Sequence, residues 1–166
     1  MKILVTTASK HGSTAEIGDA IAAHLTSCGH DVEVRAPATV HDLDDVDAVV
    51  LGSAVYIGHW LKPARELVDR LGPQLADRPV WLFSSGPVGN PPKPLDDPID
   101  VVRLVQLIGA REHRIFPGFV DKKRLGFGER AIMAAVRAPE GDFRKWSDID
   151  AWASHIAEEL APVAAS

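Results

Sequence analysis

The sequence predicts an α/β fold: a doubly wound, five-stranded parallel sheet in the order 2-1-3-4-5, with helices on both faces. Three observations predict it. Apolar runs alternate along the chain with segments of helical period, the pattern of successive β-α-β units. The runs are short and mostly apolar throughout, as strands covered on both faces require. There are five of them, the number that suits this order. The 166 residues make one domain, 1–166, with a substantial core. No repeat, low-complexity tract or linker divides it.

The elements follow in order. Ile3–Val5 is the first strand. Ala15–Cys28 is a helix with Ile17, Ile21 and Leu25 on one face and Gly29 as its stop. Val32 and Val34 alternate with Glu33 and Arg35, which marks a second strand near an edge. Ala48–Gly52 is wholly apolar and therefore central. Leu61–Ala76 is helical, with Pro63 tolerated in its first turn. Val80–Phe83 is the fourth strand. The Pro-rich stretch 87–98 is a long loop inside the alternation. Ile99–Ile108 is helical and ends at Gly109. Arg114–Val120 is the fifth strand, with a break or bulge at Pro117 and Gly118. Glu129–Arg137 and Asp148–Leu160 are the last two helices.

Composition narrows the function. Net charge is −5, which argues against a general nucleic-acid binder. Cys28 is the single cysteine, so no internal disulfide forms, as fits a reducing cytoplasm. The first apolar run stops at Thr6, unlike a signal peptide, and no stretch approaches the roughly 18 apolar residues of a membrane span. The charge is uneven: residues 111–145 hold nine Lys/Arg against five Asp/Glu.

In doubly wound sheets ligands bind beyond the carboxyl ends of the strands, at the switch point. Three loops rich in small residues fall there. The first is Thr7-Ala8-Ser9-Lys10-His11-Gly12-Ser13-Thr14. Its hydroxyls and the N–H groups of the following helix suit a phosphate. Gly12 permits close approach or positive φ, and Lys10 and His11 add charge. A plain capped helix, with Ser13 or Thr14 as N-cap, would use one hydroxyl of the four. The loop is neither a P-loop nor a Gly-x-Gly-x-x-Gly dinucleotide loop. The second loop is Gly52-Ser53-Ala54-Val55-Tyr56-Ile57-Gly58-His59-Trp60. Tyr56 or Trp60 suits stacking on a planar ligand ring, though Trp60 better suits stapling the next helix to the core. The third, Ser84-Ser85-Gly86-Pro87, offers backbone donors and little bulk.

These residues carry a resemblance. Thr7, Ser9, Gly12 and Thr14 match the flavodoxin phosphate signature Thr-x-Ser/Thr-x-x-Gly-x-Thr followed by a helix. Val49–Trp60 is similar to the strand-three loop of the menaquinone-dependent protoporphyrinogen dehydrogenase branch of that superfamily, including Gly58-His59 followed by an aromatic. Lys10 stands where that branch carries a basic residue. The similarity spans nearly the whole chain and is diffuse between motifs. It implies a flavodoxin-like fold with FMN as cofactor. It also implies a binding set of Thr7, Ser9, Lys10, His11, Gly12, Ser13 and Thr14, then Ser53, Ala54, Val55, Tyr56, Ile57 and Gly58, then Ser84, Ser85, Gly86 and Pro87.

A segment of roughly 20 residues, Lys122–Glu140, is inserted before the last helix and is basic and apolar together. It has two readings. One is a surface helix packing Ile132, Met133 and Val136 onto the domain. The other, which the dehydrogenase branch implies, is a contact for substrate, quinone or a membrane surface. The implied function is an FMN-dependent oxidoreductase that takes electrons from a small organic donor, such as a porphyrinogen, and passes them to a quinone or another acceptor. The alternative is an electron carrier without a substrate of its own, working with a redox partner protein. Carriers steer to basic partners with a strongly acidic surface, and −5 fits that poorly. A third reading, a binding module that has lost its flavin, is disfavoured by the intact hydroxyl loop. No catalytic triad or metal-ligand spacing is present. His24 and His155 fall within helices as surface or packing residues, and Cys28 is expected to be structural. His59 lies by the flavin loop. The expected location is the cytoplasm, with possible contact at the membrane periphery through 122–140. Oligomeric state and catalytic residues stay open.

Overall fold

A computed structural model describes residues 1–86 and 96–162. Five parallel strands form the sheet: β1 (Lys2–Ala8), β2 (Asp31–Arg35), β3 (Ala48–Tyr56), β4 (Val80–Ser85) and β5 (Glu112–Phe116). They lie in the order β2-β1-β3-β4-β5, as expected. The register places Val5 beside Val34 and Val50, Leu51 beside Leu82, and Phe83 beside Arg114. The helices are α1 (Ser13–Ser27), α2 (Lys62–Ala76), α3 (Val101–Ile108), α4 (Phe127–Ala135) and α5 (Trp146–Leu160).

The strands are apolar throughout because each feeds two cores. Successive side chains of a strand point to opposite faces. Leu4, Val49, Leu51, Val80 and Leu82 face one way and bury the inner sides of α2 and α3. Ile3, Val5, Val50, Trp81 and Phe83 face the other way, against α1 and α5. Each such fully buried aliphatic or aromatic side chain contributes about 1.5–3 kcal/mol. Phe83, Phe116 and Trp152 pack edge to face, with ring centroids 5.5–6.1 Å apart. Gly52 lies under this group. A Cβ there would stand 2.1 Å from the Phe83 ring, so its smallness serves the core.

Several element boundaries differ from expectation for identifiable reasons. β3 runs four residues past Gly52, because Ile57 and Gly58 turn the chain back and His59–Trp60 pairs antiparallel with Val55 and Tyr56. Both turn residues have positive φ, 49° and 75°, as tight hairpins of this hand require. Trp60 is buried, its indole N–H donating to Ser84 Oγ, so it anchors the core as expected. The fifth strand stops at Phe116, because Pro117 has no N–H to continue the ladder. Phe119–Val120 pairs instead with Gly141–Asp142, as a separate antiparallel ribbon. Between its two strands lie a 3₁₀ turn, Lys122–Arg124, and α4. α1 begins two residues earlier than expected. Its N-cap is Gly12, at φ +91° and without a side-chain cap bond, so neither Ser13 nor Thr14 is the cap. Cys28 is exposed at the end of α1 and supports no packing. His24 bonds Ser154 of α5. Among the described residues no helix is long and apolar enough to cross a membrane.

Candidate functional site

The carboxyl ends of β1, β3 and β4 meet at one edge of the sheet and open into a cleft. Ser9, Lys10, His11, Ser13 and Thr14 form its floor at the start of α1. Ala54, Val55 and Tyr56 form one wall. Ser85 and Gly86 form its back. Those ten belong to the set expected from sequence.

Gly12 shapes the floor. Its positive φ turns the chain into α1, and its N–H donates to Ser9 Oγ at 3.1 Å. With no side chain capping the helix, the first N–H groups of α1 stay available to a ligand, and the helix dipole adds positive potential there. Ser13 Oγ is buried and has no hydrogen-bond partner. A buried orphan hydroxyl costs free energy unless something bonds it. At a helix start beside Lys10 and His11, a phosphate oxygen is the acceptor the geometry accommodates. The chain's own groups therefore fit a phosphate at this loop.

The remaining expected residues lie elsewhere. Thr7 packs beneath α1, where a Cβ on Gly18 would meet its methyl at 2.6 Å. Ser53 is wholly buried. Its hydroxyl donates to Ala54 O and accepts from Leu61 N–H, fixing the hairpin. Ser84 is wholly buried between Trp60 and His113, at 2.7 and 2.8 Å. His113 Nδ1 in turn lies 3.1 Å from Asp97. Burial holds the His113 pKa below its usual value, against the pull of Asp97. Ile57 and Gly58 form the exposed hairpin tip. His59 is paired with Asp100, which also accepts the Trp60 N–H. Pro87 and the loop through 95 lie outside the described residues.

The insert supplies what sequence reasoning did not place. Arg124, Leu125, Glu129 and Met133, with Phe119 and Asp121 from the chain just before it, line the other side of the cleft. Of α4, only Glu129 is buried, while Ile132 and Val136 are exposed. Of the two readings of the insert, the first is met only in part: Ile132 and Val136 do not pack onto the domain, Met133 is half-buried along the cleft, and the buried contact of α4 is ionic. The Glu129 carboxylate pairs with Lys10, lies 3.1 Å from His11 Nε2, and accepts the Gly126 N–H at 2.9 Å. The Lys10 ammonium above all, with the Gly126 N–H and His11, holds the Glu129 carboxyl down to about 2, and Glu129 raises Lys10 in return. Lys10 also sits 5.4 Å over the Tyr56 ring. Arg124 donates to His11 O at 3.2 Å and stacks on Phe119. Arg144 lies between Phe119 and Trp146, pairs with Asp142 and reaches Glu16 in the first turn of α1. The one sequence signal for this closure was Gly126 followed three residues later by Glu129, a capping pattern. Among the described residues no cluster of His, Cys, Asp and Glu has the makings of a metal site.

The flavodoxin domain family matches residues 4–146. No curated protein matches the chain significantly. Solved structures share the fold. Oxidised flavodoxin 2 from Bacillus cereus is 21% identical, with 96% of this chain and 100% of that one covered and a TM-score of 0.68. A flavodoxin from the domain Archaea is 18% identical over 96% and 98%, with a TM-score of 0.66. Rubredoxin oxygen:oxidoreductase from Desulfovibrio gigas is 12% identical, with a TM-score of 0.66, and there 96% of this chain spans 36% of the larger protein.

Proposed function

The chain belongs to the flavodoxin domain family, whose cofactor is FMN, and on that premise we propose that it is an FMN-dependent oxidoreductase. It would move electrons from a small organic donor to a quinone or another acceptor. Bound FMN supplies one- and two-electron transfer, and the protein positions and tunes it. Ser9, Ser13, Thr14 and the free N–H groups at the start of α1 would hold the phosphate. Ala54, Val55, Tyr56, Ser85 and Gly86 would flank the ring.

The observation that carries the enzyme reading is the second wall of the cleft. Arg124, Leu125, Glu129 and Met133 from the insert, with Asp121 just before it, face the flavin loops. A walled cleft supports a bound substrate as well as a cofactor. Lys10 and Arg124 at its edge suit an acidic donor, of which a porphyrinogen with its propionates is one. Phe127, 92% exposed beside Lys122, Lys123 and Arg124, suits contact with a quinone or an anionic membrane surface. The same reading places the protein in the cytoplasm.

Family membership supports a second reading, an electron carrier that serves a redox partner protein. The Desulfovibrio gigas neighbour is named as an oxidoreductase and the others as flavodoxins, so the fold serves both. One series of measurements separates them. The purified protein is expected to keep two visible flavin bands through desalting, and to reduce a quinone with a porphyrinogen or similar donor. Retained flavin without turnover on any such donor, but with rapid exchange with a reductase, would leave the carrier. No bands and no FMN uptake by apoprotein would remove both readings.

A further inference from the structure

α4 touches the body of the protein through a charge. Glu129 is the buried residue of that helix, and it is buried against Lys10 and His11, the two titratable side chains of the phosphate loop. The carboxylate is held in place from its own side as well, by the Gly126 N–H. The same cleft holds the orphan Ser13 hydroxyl and the uncapped start of α1. The loop is thus arranged for an anion and already faces one that belongs to the chain. A phosphate monoester held by this loop would bring a second negative charge close to the Glu129 carboxylate, and the two would repel.

We propose that Glu129 is an internal stand-in for the phosphate: it holds Lys10 and His11, and FMN competes for them, loosening α4 while it stays along the cleft. This rests on the FMN reading above. Glu129 then has two effects. It sets the affinity of the loop by competing for its cations, so that the phosphate of FMN must outbid a carboxylate. It also reports loading to the insert. Once Lys10 and His11 turn to the phosphate, α4 loses its ionic contact with the loop and keeps the contact of Met133 with the cleft and those of its flanks.

Glu129→Gln tests the first effect. Gln still accepts the Gly126 N–H, so the capping pattern survives while the charge goes. Apoprotein titrated by flavin fluorescence is expected to bind FMN about tenfold more tightly in the variant, the scale of one removed unit charge at a partly screened site. Riboflavin, which lacks the phosphate, is expected to bind both proteins equally. Limited trypsin digestion of the unmodified protein tests the second effect without any substitution. FMN is expected to speed cleavage after Lys122, Lys123, Arg124 and Arg130, and riboflavin to leave it unchanged. Glu129→Gln binding FMN no more tightly than the parent, or FMN protecting the insert, overturns the stand-in role and leaves FMN binding intact. A parent apoprotein that takes up no FMN overturns both.

Discussion

Ser13 is where one atom carries the most information. Its hydroxyl is buried without a partner, an arrangement that folding alone does not favour. Ser13→Ala is therefore expected to act with opposite signs on two measurements. The melting temperature of the apoprotein should stay the same or rise, since an unsatisfied group is removed. FMN affinity should fall by about 1.5–3 kcal/mol, the usual loss for a hydrogen bond to a charged group. Calorimetry of the apoprotein and a fluorescence titration with FMN check the two arms. An apoprotein that melts earlier, with unchanged FMN affinity, would make Ser13 a packing residue and detach the phosphate from this loop. Ser84 and Ser53 show why a serine near a strand end is not enough to assign this role. The sequence puts both among the expected site residues, yet both spend their hydroxyls inside the protein, on Trp60, His113, Ala54 and Leu61.

At the scale of an element, the hairpin at the end of β3 contradicts its own residues. Ile57 adopts φ 49°, a region that β-branched side chains avoid, and it is 70% exposed. Neither burial nor backbone preference explains an isoleucine there. Such strain concentrates beside sites that use it, and Tyr56 next to it lines the cleft. Ile57→Asn supplies the residue that this turn prefers, ahead of Gly58. It is expected to raise the free energy of unfolding by about 1–2 kcal/mol, read from denaturant curves with unchanged slope. A loss of stability would show that Ile57 is held by contacts outweighing its backbone cost. The turn also marks a limit of pattern reading. The apolar run of β3 was plain, but Ile57 is among the poorest signals for a hairpin, so nothing in the residues announced where the strand would end. At Pro117 the opposite held. The missing N–H was visible in the sequence, and the strand breaks there.

For the whole molecule, the legible part was the part with a period. Alternation of buried strands and amphipathic helices placed the sheet order, the two cores and the meeting of three loops at one edge. The insert was legible only as composition, because its docking depends on contacts such as Glu129 with Lys10 and Arg124 with His11, pairs of single residues more than a hundred positions apart. The structure nevertheless makes the insert separable. Val120 pairs with Gly141, and Phe119 with Asp142, in antiparallel register, so the chain leaves and returns at one place. Replacing residues 121–140 by Asn-Gly would close that ribbon with a two-residue turn and leave Arg144, Phe119 and all three flavin loops in place. The shortened protein is expected to fold and retain FMN, since both cores are built from residues outside the segment. Its turnover of an organic donor is expected to fall by about a hundredfold or more, as follows from losing one wall of the cleft that positions it, while reduction of its flavin by a reductase continues. Stopped-flow reduction and steady-state turnover on the same sample read both quantities. If turnover survives the replacement, the insert does not hold the substrate, and the donor meets the flavin through the three loops alone.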